Sequence, residues 1–161
     1  MCIRDRSISE QVIAVSGDNS IALSTVFEIL GLISNETLES LLTAIVKNDV
    51  AEALKISNDA LSKGASAESI LDQLATVFHE ICRTKILKSF GKGQEGNVVI
   101  ADEMPVTETD ANLFYQICLL GKRDLHLAPN ELVGLQMTIL RILAFLPESL
   151  LFQKKKSIET K

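Results

Sequence analysis

Two histidines and three cysteines are the soft metal ligands among these 161 residues. His79 and Cys82 stand three positions apart, so a helix would place them one turn apart on one face. A tetrahedral zinc site needs two further ligands, and only Cys118 and His126 are left to supply them. A packed helix face is the simpler reading. The same two residues make a poor nucleophile–base pair, because Cys82 falls on an apolar stripe where a thiol stays inert. Gly91-Lys92-Gly93 holds the Gly-Lys pair of a phosphate loop. However, no Ser or Thr follows the lysine, no glycine stands five residues before it, and no strand leads into it. The acidic residues are scattered over helix faces, and Lys154-Lys155-Lys156 reads as a solvated tail. The expectation is therefore no catalytic, cofactor-binding or metal-ligating residue.

Composition narrows the classes further. Asp and Glu number 21 against 16 Lys and Arg, a net charge of -5, so the basic face of a protein that grips DNA phosphates is missing. Aromatics are 4% with no Trp, which argues against a base-stacking module. Hydrophobic residues at 47% exclude a disordered chain. Three widely separated cysteines (Cys2, Cys82, Cys118) do not form a disulfide framework and fit a reducing cytoplasm. No signal-peptide pattern opens the chain. The most apolar stretch, residues 127–146, is interrupted by Asn130, Glu131, Gln136 and Arg141, so no membrane span is expected.

The elements carrying these residues read as helices. Leu38, Leu41, Leu42, Ile45 and Val46 follow the i, i+3, i+4, i+7, i+8 pattern. Val50, Ala53, Leu54, Ala60 and Leu61 form a second stripe, with Asp49 and Glu52 as a capping pair before it and Gly64 at the C′ position after it. Ile70, Leu74, Val77, Phe78, Ile81 and Cys82 make a third, opened by Ser66 and closed by Gly91. Thr107 with Asp110 announces a fourth, carrying Leu113, Phe114, Ile117, Cys118 and Leu120. Pro129 is placed at the first position of a fifth that runs to Pro147. That last helix is apolar nearly all round, from Leu132 and Val133 to Phe145, so it must be covered on every side by its own domain or by a neighbouring subunit. Upstream, a helix ending near Val15, a Gly17-Asp18 turn and a short helix ending at Leu30 are too small to fold alone. Residues 91–96 read as a flexible connector, 97–100 as a short extended piece, and 154–161 as a fraying tail. The fold class is all-α, a bundle of about five main helices.

The C-terminal third carries a more specific signal. Leu113-Phe114-Tyr115-Gln116, Gly121-Lys122-Arg123-Asp124-Leu125, Ala128-Pro129-Asn130 and the run from Gly134 to Phe145 stand in order. Their sequence and spacing resemble the third domain of the bacterial DNA polymerase III gamma/tau family, which typically reads L-Y-Y-Q, G-R-R-D-L, A-P-D and G-x-E-M-T-L-L-R-x-L-A-F there. Residues 74–83 are similar to that family's L-L-H-R-I segment, with His79 at the histidine. Residues 7–14 and 26–31 resemble the end of its AAA+ lid domain, so the resemblance covers roughly residues 7–147. The chain departs from the pattern at Gln136, where a Glu is usual, and at Lys122, where an Arg is usual. Arg4 lies one residue out of register with the family's nucleotide-sensing arginine and inherits no such role.

The resemblance implies three parts. Residues 1–33 would be the C-terminal remnant of an AAA+ lid domain, with 1–6 looking like an adaptor remnant outside the native sequence. Residues 34–147 would be a helical collar or oligomerisation domain, and 148–161 a charged flexible tail. It implies a non-catalytic segment of the clamp loader that places the sliding clamp on DNA in replication, in the bacterial cytoplasm. ATP, Mg and a structural Zn are expected only in other domains of the full subunit, itself an AAA+ ATPase. The implied partners are other gamma/tau, delta and delta-prime subunits, with psi as a further one, and neither nucleic acid nor membrane directly. Tyr115, Arg123, Met137, Leu140, Arg141 and Phe145 are the candidate interface residues. Tyr115 reads equally as a core residue, and the two arginines as surface pairs within the subunit. The competing readings are a free-standing helical adaptor that binds a partner helix or peptide and, with little to seed it, a small helical enzyme.

Overall fold

The computed structural model describes residues 32–91 and 104–147, in five α-helices. These are α1 (Asn35–Val46), α2 (Val50–Ser62), α3 (Ala67–Ser89), α4 (Glu108–Asp124) and α5 (Glu131–Ala144), with a 3-10 turn at Leu125–Leu127 between the last two. The all-α expectation holds. The segments expected at 1–31, at 92–103 and beyond Pro147 lie outside the described residues.

Short polar side chains start each helix. Ser34, Asp49, Ser66, Thr107 and Asn130 each accept a hydrogen bond from the amide three residues on. At Thr107 the pairing is reciprocal, since Asp110 accepts from the Thr107 amide in return. Pro129 therefore does not open α5. Asn130 is the cap and Glu131 the first helical residue, because an Asn oxygen satisfies an amide that a proline cannot reach. The first three helices end on left-handed residues: Asn48 (φ 50°), Gly64 (φ 95°) and Gly91 (φ 68°). At Asn48 and Gly64 two paired backbone bonds reach back into the last turn, Asp49 to Ala44 and Asn48 to Ile45 in the first case.

The helices pack as two pairs joined by α5. α1 and α2 form one pair, and the longer α3 and α4 form the other, running antiparallel. Lys122 at the end of α4 meets Glu68 and Asp72 at the start of α3, and Lys85 near the end of α3 donates to the Met104 carbonyl ahead of α4 (3.0 Å). Midway along, Phe78 and Phe114 pack edge to face with centroids 5.4 Å apart. α5 lies against α1, α2, α3 and α4, and its Leu135, Ile139 and Ile142 are fully buried. Burying each such side chain contributes about 1.5–3 kcal/mol. Gln73 of α3 faces the Ile33 backbone at the entry to α1; with its side-chain amide turned so that nitrogen meets carbonyl, it donates to the Ile33 carbonyl at 3.3 Å and accepts from the Ile33 amide at 3.2 Å.

Two apolar stripes differ from the sequence expectation. Leu113 and Leu120 are exposed, because α3 covers only the Phe114, Ile117 and Cys118 side of α4. Val50 is also exposed, and Ser57 takes a core position on α2 by donating its hydroxyl to the Ala53 carbonyl at 2.6 Å.

Candidate functional site

The residues that could have held a metal do not converge. His79 stands outward on α3, its Nδ1 3.4 Å from Glu80 and its ring 6.3 Å from that of Tyr115. Cys82 packs half-buried against the core, and Cys118 is buried in α4. Burial pushes the Cys118 thiol up to about 12, so it stays protonated at neutral pH. Among the described residues no group of three His, Cys, Asp or Glu is placed to share a metal ion. No described helix is long and apolar enough to cross a membrane.

The C-terminal motif residues have a packing role. Gly121 on α4 faces Thr138 on α5, and a Cβ at Gly121 would lie 2.9 Å from the Thr138 Cβ and closer still to its Oγ1 and Cγ2. Only glycine lets the two helices approach this closely. Thr138 is itself buried, and its hydroxyl donates to the Gly134 carbonyl (2.9 Å). Gly134 serves the opposite end of the same joint, since a Cβ there would lie 2.7 Å from Leu125 Cδ2 and 3.1 Å from Ala128 Cβ. The Gly-Lys-Arg-Asp-Leu, Ala-Pro-Asn and Gly-x-x-x-Thr segments are thus the two helix surfaces and the turn of one α4–α5 hairpin.

Two polar contacts lock this hairpin onto α3. Lys122 Nζ reaches Asp72 at 2.7 Å and Glu68 at 3.2 Å, and these carboxylates hold its pKa above the ordinary lysine value. Glu131 accepts from the Ala67 amide at 3.3 Å, placing a carboxylate on the N-terminal end of α3. Lysine at position 122 therefore keeps a charged contact to α3.

α5 then presents its other side outward. Val133 (38%), Met137 (46%), Leu140 (36%) and Phe145 (59%) are exposed, with Arg141 among them. Met137, Leu140, Arg141 and Phe145 fall at i, i+3, i+4 and i+8, so four of the six sequence candidates share one ridge. Arg141 makes no ion pair with another described residue. The other two candidates lie elsewhere. Tyr115 is half-buried against the core, in a shallow recess with His79, Thr76 and Leu119. Arg123 pairs with its own neighbour Asp124 at 3.0 Å. Sequence reasoning did not single out Val133 from the other apolar positions of α5. Only its spacing of four from Met137 places it on this ridge.

Residues 21–159 match the family model described as domain III of DNA polymerase III subunits gamma and tau. The chain is 30% identical over 148 residues to DNA polymerase III subunit tau of Escherichia coli (strain K12), covering 88% of this chain and 22% of that protein. It is 28% identical over 151 residues to the tau/gamma subunit of Haemophilus influenzae, covering 92% and 21%. To the gamma subunit of Buchnera aphidicola subsp. Baizongia pistaciae it is 26% identical over 143 residues, covering 84% and 38%. The chain thus spans about a fifth to two fifths of the length of these relatives.

Proposed function

Since the chain belongs to the DNA polymerase III gamma/tau family through domain III of those subunits, we propose that it is an oligomerisation collar. It packs against other gamma/tau subunits and against delta and delta-prime to hold the pentameric clamp loader together, with psi as a further partner. In this reading the ATP, Mg and Zn chemistry belongs to other domains of the full subunit. The segment itself contributes assembly rather than catalysis, and it acts in the bacterial cytoplasm without touching DNA.

The observation that carries this reading is the outer ridge of α5. A helix with a mean composition apolar enough for a core keeps Val133, Met137, Leu140 and Phe145 in water. Monomeric proteins seldom leave contiguous apolar surface of that kind uncovered. Obligate subunit interfaces, in contrast, resemble a domain core cut in half. Leu113, Leu119, Leu120 and Leu127 add further exposed apolar side chains on α4 and the turn after it.

The test is the solution mass of the chain against concentration, alone and with delta and delta-prime subunits. The collar reading expects a rise above the monomer mass that is concentration-dependent, or co-migration with the added subunits. A chain that remains monomeric in every mixture overturns it and leaves the helical-adaptor reading.

A further inference from the structure

A ring of related domains needs two different faces per domain, because each contact is heterologous and the same pair repeats around the ring. The α5 ridge is one such face. The second is visible on the other helix pair. A cleft of about 450 Å³ runs between α1 and the later half of α2, and it adjoins a second of about 490 Å³ toward the α1–α2 turn. The two share Glu36, Ser40, Glu52 and Ile56, so they form one continuous groove. No residue of α5 lines either part.

The groove and the ridge are complementary. The groove floor carries Ile33, Ile56 and Ala60, and its rim holds five carboxylates, among them Glu36, Glu39 and Asp59, against two lysines. Glu52 is already engaged with Lys55 at 3.5 Å. The ridge is an apolar row, Met137, Leu140 and Phe145, with one guanidinium, Arg141, beside it. A second copy of this chain therefore offers what the groove lacks: side chains to cover Ile56 and a cation to meet the α1 carboxylates. A guanidinium suits that role because its planar fork binds carboxylates in two-point contacts.

Resting on the collar reading above, we infer that collar domains join head to tail, with the α5 ridge of one copy seated in the α1–α2 groove of the next. Arg141 of the ridge pairs with Glu36 and Glu39 of the groove. All three side chains are exposed in the single domain, so reversing their charges leaves the fold intact.

The experiment is sedimentation velocity on the full chain over a range of concentrations, with circular dichroism to confirm that each variant stays helical. Arg141→Glu alone should raise the dissociation constant by about tenfold or more, since a buried or rim charge pair becomes a repulsion. Glu36→Lys with Glu39→Lys should do the same, and the triple variant should recover most of the loss. An equimolar mixture of the two reversed proteins is the sharper arm. Wild-type ridge then meets wild-type groove and reversed ridge meets reversed groove, so a head-to-tail contact restores in the mixture the association that each reversed protein lacks alone. Self-association that both reversals leave untouched overturns the face assignment while the collar reading stands. A triple variant no better than the single ones also overturns the pairing. A wild-type chain that stays monomeric overturns a second copy as the occupant. Mixing with delta and delta-prime then decides the collar reading separately.

Discussion

Gly121 is the residue on which the α4–α5 joint turns. Replacing it with alanine gains helix propensity, worth up to about 1 kcal/mol in an open helix. Here the new methyl meets the Thr138 side chain, which is buried and has nowhere to go. Overpacking of this kind costs about 1–3 kcal/mol, so G121A should unfold at lower urea than wild type. The double variant G121A/T138A should regain part of the loss, and an additive loss would mean the two positions do not share a contact. Titration offers a second residue-scale test. Cys118 ionises near the ordinary thiol value of 9.0 when unfolded but only at about 12 when folded. Its neutral form is therefore favoured by folding, and stability is complete below pH 9 and falls above it by about 1.4 kcal/mol per pH unit. Lys122 acts in the same direction: its raised pKa means a contribution present below 10.5 and lost as pH rises through the folded value. C118A should flatten the pH 9–11 part of a urea-stability profile, and an unchanged slope would place the loss elsewhere.

At the scale of elements, caps and facing rings define which helices form and how they pair. The Thr107–Asp110 box satisfies amides at the start of α4, so Thr107→Ala should cost about 1 kcal/mol in chemical denaturation. Phe114 is fully buried against Phe78 at the centre of the α3–α4 pair, and Phe114→Ala should cost about 3–5 kcal/mol. If the first change proved the larger, the α3–α4 interface would not be the main source of stability. Most cap signals were readable from residue type alone: Ser66, Thr107 with Asp110, and Gly64 stand where expected. Pro129 misled because its ring suits a first helical turn, yet it lies just before Asn130, whose side chain makes the cap. Leu113 and Leu120 misled because periodicity shows that a residue shares a face, not whether another helix lies over it.

At the scale of the whole molecule, the outer face of α5 is separable from the core. Leu140→Glu and Met137→Glu change exposed positions, so urea midpoints should move little, by about 0.5 kcal/mol or less. The same changes should abolish or strongly weaken association with other subunits, read as a fall in sedimentation coefficient at fixed concentration. Loss of fold in both would instead make the ridge a hidden part of this domain's own core.

The sequence by itself determined that the chain is helical, where most helices begin and end, and which family its C-terminal motifs resemble. Each of those properties is local: a cap is settled within one turn, and a period within a dozen residues. It also showed that α5 is too apolar to have a solvent face of the ordinary kind. Only the tertiary structure decided which side of α5 is covered, that Gly121 and Thr138 touch, and that Lys122 and Glu131 both anchor to the start of α3. Those facts depend on contacts between positions 17 to 64 residues apart. No local pattern encodes them, because they arise only when five amphipathic faces compete to bury the same core.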